Sequence, residues 1–227
     1  MVDGKICHLL TFFNKKKLHL QIKCCIFALN KKDNGMTRED FIDYIAREEN
    51  EVVIKAIREK AAHIHDVECN QKYGEDKPYS FHLDMVTTMV MDYCHLVCEY
   101  EHHIIPIIFG AAFHDAIEDA RMTYHDVLSL AKTFMSNYQA VIATELVYAL
   151  TDEKGRTRKE RGSDKHYEDI RDTLYAPFVK FCDRYCNWKY SVETGSRMTK
   201  VYEKEMPSFI EKIGGTKYVP KELISMI

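Results

Sequence analysis

The sequence predicts an all-α domain, on three observations. From residue 37 onward, apolar residues recur at helical spacing. Thr37-Arg38-Glu39-Asp40 and Thr123-Tyr124-His125-Asp126 each resemble a capping box, in which residues three apart satisfy each other's backbone at a helix start. Only five prolines and nine glycines interrupt 227 residues, which favours long elements over frequent turns. No internal repeat or low-complexity linker divides the chain. One domain over 36–227 is expected, behind an extension over 1–35.

The extension differs in pattern. Lys17 to Lys23 alternates with period two, a strand signal, yet nothing obvious pairs with it. An edge strand, a short hairpin and an irregular tail all fit. Asn30 to Gly35 reads as a loop. A first helix starts behind Thr37, with apolar Phe41, Ile42 and Ile45 following. A second runs from about residue 51 to 67 through Ile54, Ile57, Ala61 and Ile64. Residues 68–79 read as a polar loop. Ser80 can cap a third helix, whose apolar line is Val86, Val90, Tyr93 and Val97.

The stretch Ile104 to Phe113 is apolar on every side, the mark of a central, buried helix. Pro106 is tolerated in its first turn. This helix is expected to carry His114 and Asp115 in its C-terminal half. Further helices are expected behind Thr123, through Val141 to Leu150, and over 164–174, 177–190 and 197–213. Residues 151–163 read as a charged loop, and Gly214-Gly215 as the last stop.

Composition excludes several function classes. Thirty-two basic against thirty-five acidic residues give a net charge of −3, so nothing global points to nucleic acid or a membrane surface. No stretch approaches the ~20 apolar residues of a membrane span. The apolar run Ile6 to Phe13 meets its lysines afterwards, the reverse of a secretory signal. A cytoplasmic protein is expected. The eight cysteines form no Cys-x-x-Cys and read as small buried hydrophobes, with a cysteine zinc site as the alternative.

The chemistry concentrates in Ala111-Ala112-Phe113-His114-Asp115-Ala116-Ile117-Glu118-Asp119. Ionisable groups are costly to bury unless paired or bound to a metal. Here four of them directly follow an apolar stretch. His114 and Asp115 offer one imidazole and one carboxylate to a single ion. Further donors must come from elsewhere. His65, on the side of Ala61 and Ile57, and Asp183, the lone acid in Phe178 to Cys186, are the candidates. Alone, each also reads blandly, as a core histidine and as a salt bridge to Arg184. A mixed His and carboxylate set suits Mn²⁺, with Fe²⁺ or Zn²⁺ as alternatives, and one divalent ion is expected.

The segment Phe113 to Asp119 resembles the His-Asp-x-x-Glu-Asp signature of HD-domain phosphohydrolases, more narrowly the hydrolase domain of RelA/SpoT proteins and their small stand-alone relatives. Three further segments agree in order. Ala61-Ala62-His63-Ile64-His65 is similar to the helix carrying the family's first metal histidine, with His65 in its place. Lys77-Pro78-Tyr79-Ser80-Phe81-His82 is similar to a Pro-Tyr-x-x-His stretch lining the family's pocket. Phe178 to Asn187 is similar to Val-Lys-x-Ala-Asp-Arg-x-x-Asn, which supplies the last metal Asp. The resemblance covers about residues 51–192. Three departures touch the pocket: Leu83 stands where a Pro is usual, Cys186 where a His is frequent, and Gln71-Lys72 where Arg-Lys is expected.

The resemblance implies an HD-type helical bundle with His65, His114, Asp115 and Asp183 as metal ligands. It implies release of the 3′-pyrophosphate from guanosine tetra- or pentaphosphate. Too few residues follow 192 for a synthetase half, so a stand-alone hydrolase is expected. Glu118 and Asp119, one turn beyond the metal pair, would orient a water and accept its proton; two solvated acids are the bland reading. Lys154, Arg156, Arg158, Lys159 and Arg161 form either a phosphate collar or a solvated loop. Lys72, Lys180 and Arg184 can add to such a collar. Tyr79 and His82 are placed beside a base or ribose, and Asn187 as a hydrogen-bond partner of the nucleotide. Another nucleotide substrate, and a non-catalytic nucleotide sensor, remain the alternatives. The expected partner is a small nucleotide, with no membrane or nucleic acid.

Overall fold

The computed structural model describes residues 36–152, 160 and 162–227. The alternating segment 17–23 lies outside these residues, and so do Lys154, Arg156, Arg158, Lys159 and Arg161. Met36–Ile227 form one compact unit. It is all-α. In chain order the helices are α1 (Arg38–Ile45), α2 (Glu48–Ala62), α3 (Ser80–Tyr93), α4 (Ile104–Ala112), α5 (Tyr124–Ala131), α6 (Asn137–Leu150), α7 (Asp164–Asp172), α8 (Ala176–Glu193), α9 (Met198–Lys212) and α10 (Lys221–Ile224). The strands described are β1 (Lys72–Tyr73) and β2 (Lys77–Pro78), antiparallel, with Tyr73 opposite Lys77. This hairpin sits inside the expected polar loop. No helix among the described residues is long and apolar enough to cross a membrane.

Local chemistry sets the helix starts. Thr37 with Asp40 and Thr123 with Asp126 form the two expected capping boxes, and Ser136 with Gln139 forms a third. Ser80 does not cap α3. It is the first helical residue, and its N–H donates instead to Asp66 Oδ1 at 3.0 Å. A carboxylate from the preceding turn therefore satisfies this helix start. The second helix also ends differently: α2 stops at Ala62, and His63–Glu68 continue as a π-helical turn.

Every residue of α4 is buried. It packs against α6, α3 and α2. Burial of its isoleucines and Phe109 contributes about 1.5–3 kcal/mol per side chain. The approach to α6 is close. A Cβ on Gly110 would lie 2.3 Å from Leu146 Cδ2 and 2.7 Å from its Cγ. Leu146 is itself fully buried and has no room to retreat.

The starts of three helices meet at His103. This buried residue caps α4, and its Nδ1 lies 2.7 Å from the hydroxyl of Tyr175, which caps α8. Its Nε2 lies 3.4 Å from the hydroxyl of Tyr138 in α6. Tyr175 holds φ at +65°, a left-handed conformation costing on the order of 1–3 kcal/mol for a non-glycine residue. Packing and this hydrogen bond hold it there. Burial, and then His102, push the His103 pKa down to about 4.

Two outcomes follow for stability. Gly110→Ala should lower it by about 1–3 kcal/mol through overpacking against Leu146; an unchanged melting midpoint would count against the close contact. His103 is neutral when folded but takes a proton below about pH 6.5 when unfolded. Stability should therefore fall as pH drops from about 6.5 to 4, by up to about 3 kcal/mol from this residue. Denaturant titrations of wild type and His103→Gln should show the variant lacking that part of the slope, and parallel profiles would refute it.

Candidate metal centre

Three segments deliver buried donors to one place. His82 lies in the first turn of α3, His114 and Asp115 directly follow α4, and Asp183 lies midway along α8. The expectation that His114 and Asp115 ride on the buried helix needs correction. Phe113, at φ −114° and ψ 14°, ends α4, and residues 113–119 form consecutive turns. The reason is geometric. Successive residues of a helix point about 100° apart, so adjacent side chains cannot both face one point. The turn brings His114 Nε2 and Asp115 Oδ2 to 3.0 Å.

The other separations are similar. His82 Nε2 lies 3.2 Å from His114 Nε2, and 3.7 Å from Asp115 Oδ2. Asp183 Oδ1 lies 3.4 Å from His82 Nε2 and 3.7 Å from His114 Nε2. Donors bound to one ion at about 2.0–2.2 Å are roughly 3.0–3.6 Å apart at right to tetrahedral angles. His82, His114 and Asp115 form the tightest group, with one donor atom from each within 4.8 Å of the others. Asp183 reaches both imidazoles of that group.

The tautomer of His114 sharpens the argument. Its Nδ1 lies 2.8 Å from the Ala111 carbonyl, which can only accept. Nδ1 therefore carries a proton, and Nε2 faces two carboxylates and a second imidazole. The two carboxylates call for a positive charge among these atoms, which a protonated His114 or a bound cation would supply. Burial opposes a charged His114, but Asp115 and Asp183 raise its pKa well above the ordinary imidazole value. Against the same burial, the imidazoles hold Asp115 and Asp183 below the usual carboxylate range. His82, His114 and Asp115 could hold a divalent ion, with the Asp183 carboxylate beside the two imidazoles.

A second ring of contacts orients these donors. Asn187 Nδ2 donates to Asp183 Oδ1 at 2.6 Å. Lys180 Nζ lies 3.7 Å from Asp183 Oδ2 and 3.4 Å from Asp152 Oδ1. The Tyr79 hydroxyl, with one proton to donate, lies 2.5 Å from Asp115 Oδ2 and 3.0 Å from Asp119 Oδ2. Asp119 also accepts from Gln71 Nε2 at 2.7 Å. Glu118 Oε2 accepts from the Asp152 backbone N–H at 3.4 Å. Partial burial and then the charges of Asp152, Asp115 and Asp119 raise the Glu118 pKa. A raised carboxyl is a better proton acceptor near neutral pH.

The structure thus brings together His114, Asp115 and Asp183 with Glu118, Asp119, Tyr79, Lys180 and Asn187 around them. It moves His82 from the pocket wall to the donor group. It does not bring His65 into that group. The π-helical turn aims His65 Nδ1 at Gln71 Oε1, 2.7 Å away, and its ring stacks on Tyr79. His65 thereby acts on Asp119 through Gln71. Lys72 is exposed on β1. Arg184 is turned to α9, with Glu205 at 2.9 Å and Phe209 beneath its guanidinium. Sequence reasoning missed His82 as a member of this group, and Gln71 and Asp152 as supports. His82 continues the buried line of Val86 and Met89, so its burial was legible but its partner was not.

No family model matches this chain, and no curated protein or solved structure matches it either.

Calorimetric titration separates the two candidate histidines. His82→Ala should weaken Mn²⁺ binding at least about a hundredfold, and His65→Ala no more than about tenfold. The reverse order would return the first imidazole to His65.

Proposed function

We propose that this chain is a metal-dependent phosphohydrolase of a phosphorylated nucleotide, with guanosine 3′,5′-bis(diphosphate) as substrate and its 3′-pyrophosphate as product. One observation supports the reading above the rest. The Nε2 atoms of His82 and His114 lie 3.2 Å apart, and each lies 3.0–3.7 Å from one oxygen of Asp115 and one of Asp183, with His114 Nδ1 fixed on the Ala111 carbonyl so that Nε2 points inward. The site fits one divalent ion held by His82, His114, Asp115 and Asp183, with Mn²⁺ suited to mixed imidazole and carboxylate donors. Such an ion, when bound, acidifies a water and offsets charge on a phosphoryl oxygen.

The protein's own groups supply the remaining steps. Glu118, with its raised pKa and open side chain, accepts the proton of the attacking water. Asp119 is held by Gln71 and Tyr79 to orient that water. The water oxygen bonds to the phosphorus joined to the ribose 3′ oxygen. The bond between that phosphorus and the 3′ oxygen breaks, and the 3′ oxygen takes a proton. Lys180 holds a positive charge beside Asp183 and Asp152, which limits repulsion between the carboxylates and an incoming phosphate. The substrate assignment is supported by the four segments similar to RelA/SpoT hydrolase domains, not by geometry.

A substrate panel with Mn²⁺ tests the reading. The expected product is pyrophosphate from guanosine 3′,5′-bis(diphosphate). Orthophosphate from mononucleotides would instead indicate a different HD-type hydrolase. No turnover of any nucleotide, with the ion bound, would indicate a sensor. Glu118→Gln should lower kcat by about 10²–10⁴ while Mn²⁺ still binds; full activity would remove Glu118 from the mechanism.

A further inference from the structure

We propose that Tyr73, on the short β1–β2 hairpin, is a positioning residue for the metal centre, its ring fixing the His82 imidazole and its hydroxyl fixing the Asp183 carboxylate through Asn187. The inference rests on the metal reading above. It starts from an asymmetry between the two histidines. A metal-binding imidazole ordinarily donates its second ring N–H to a carboxylate, carbonyl or water, which sets ring orientation and tautomer. His114 has such a partner in the Ala111 carbonyl. His82 Nδ1 is buried with no hydrogen-bond partner. Something else must hold that ring.

Tyr73 does so by stacking. Its ring lies 4.8 Å from the His82 ring at an interplanar angle of 14°. The ring of Tyr190 meets Tyr73 at 4.8 Å and backs it. The hairpin turn allows this seat. Gly74 has φ +64°, and a Cβ there would lie 2.5 Å from the Tyr190 hydroxyl oxygen. Only glycine combines that backbone with that contact.

The hydroxyl makes the second connection. Tyr73 donates to Asn187 Oδ1 at 2.9 Å. Asp183 can only accept, so it turns Asn187 Nδ2 toward itself and Oδ1 toward the Tyr73 hydroxyl, whose bond then holds the amide in that orientation. Asn187 Nδ2 then donates to the same Asp183 oxygen that faces both imidazoles. A reversed amide would set oxygen against oxygen. One side chain on the hairpin thus holds a donor from α3 and a donor from α8. It also occupies the Asn187 amide, so Asn187 acts here on Asp183 rather than standing open to a nucleotide.

The test is Mn²⁺ affinity by calorimetry on the full chain, with the melting midpoint of each metal-free variant measured alongside. Tyr73→Phe keeps the stack and loses the hydroxyl; it should weaken Mn²⁺ binding about tenfold. Tyr73→Ala loses both and should weaken it about a hundredfold. Asn187→Ala should match Tyr73→Phe, and the two together should cost no more than Asn187→Ala alone, since they act in one line. The metal-free midpoint of Tyr73→Phe should stay at the wild-type value. Wild-type affinity in Tyr73→Phe would overturn the inference while leaving the metal centre intact. So would a loss of affinity matched by an equal loss of metal-free stability. A wild-type chain that binds no Mn²⁺ would overturn both readings.

Discussion

The hydrogen bond from His114 Nδ1 to the Ala111 carbonyl governs the chemistry of this molecule. It fixes a proton on Nδ1 and points Nε2 into a space already lined by two carboxylates and another imidazole. Neutral polar groups could satisfy each other in such a space. Two carboxylates cannot, unless a positive charge sits between them, because in a low-dielectric interior their repulsion is poorly screened. The arrangement is therefore favourable only around a positive charge. Most of the fold can be read as the means of holding those atoms against their own repulsion.

Rigidity comes from the elements that bear the donors. The wholly buried α4 fixes where the His114-Asp115 turn begins, and its glycine lets α6 approach. His103 and Tyr175 tie the starts of α4 and α8, so two donor-bearing segments share one anchor far from the donors themselves. The hairpin closes the assembly from the α3 side. Donors that arrive on separate elements need this bracing, since a displacement of even about 1 Å degrades a coordination shell or a catalytic alignment.

Much of this was legible in the sequence. Capping boxes at Thr37 and Thr123 and the apolar run before His114 carry strong local signals of the helical class and of His114-Asp115 as a candidate pair, whereas Asp183, which alone also reads as a salt bridge to Arg184, is marked as a ligand by the resemblance. His65 was expected where the structure places His82, and for a physical reason. His65 and His82 are both fully enclosed histidines in helical positions, at 0% and 2% exposure. Periodicity reports that a side chain is buried, not which buried neighbour it meets. The π-helical turn at His63–Glu68 re-aims His65, and neither hydropathy nor capping residues announce such a turn. The extended helix expected through His114 failed similarly, because apolar periodicity continues through Phe113 while the backbone does not.

The most direct test of the central claim is anomalous diffraction from crystals of the Mn²⁺-loaded protein, recorded at the manganese absorption edge. The account expects one strong peak about 2.1–2.3 Å from the Nε2 atoms of both His82 and His114, with Asp115 and Asp183 oxygens completing the shell. A peak bound by His65 in place of His82, or no peak near His114, would contradict it.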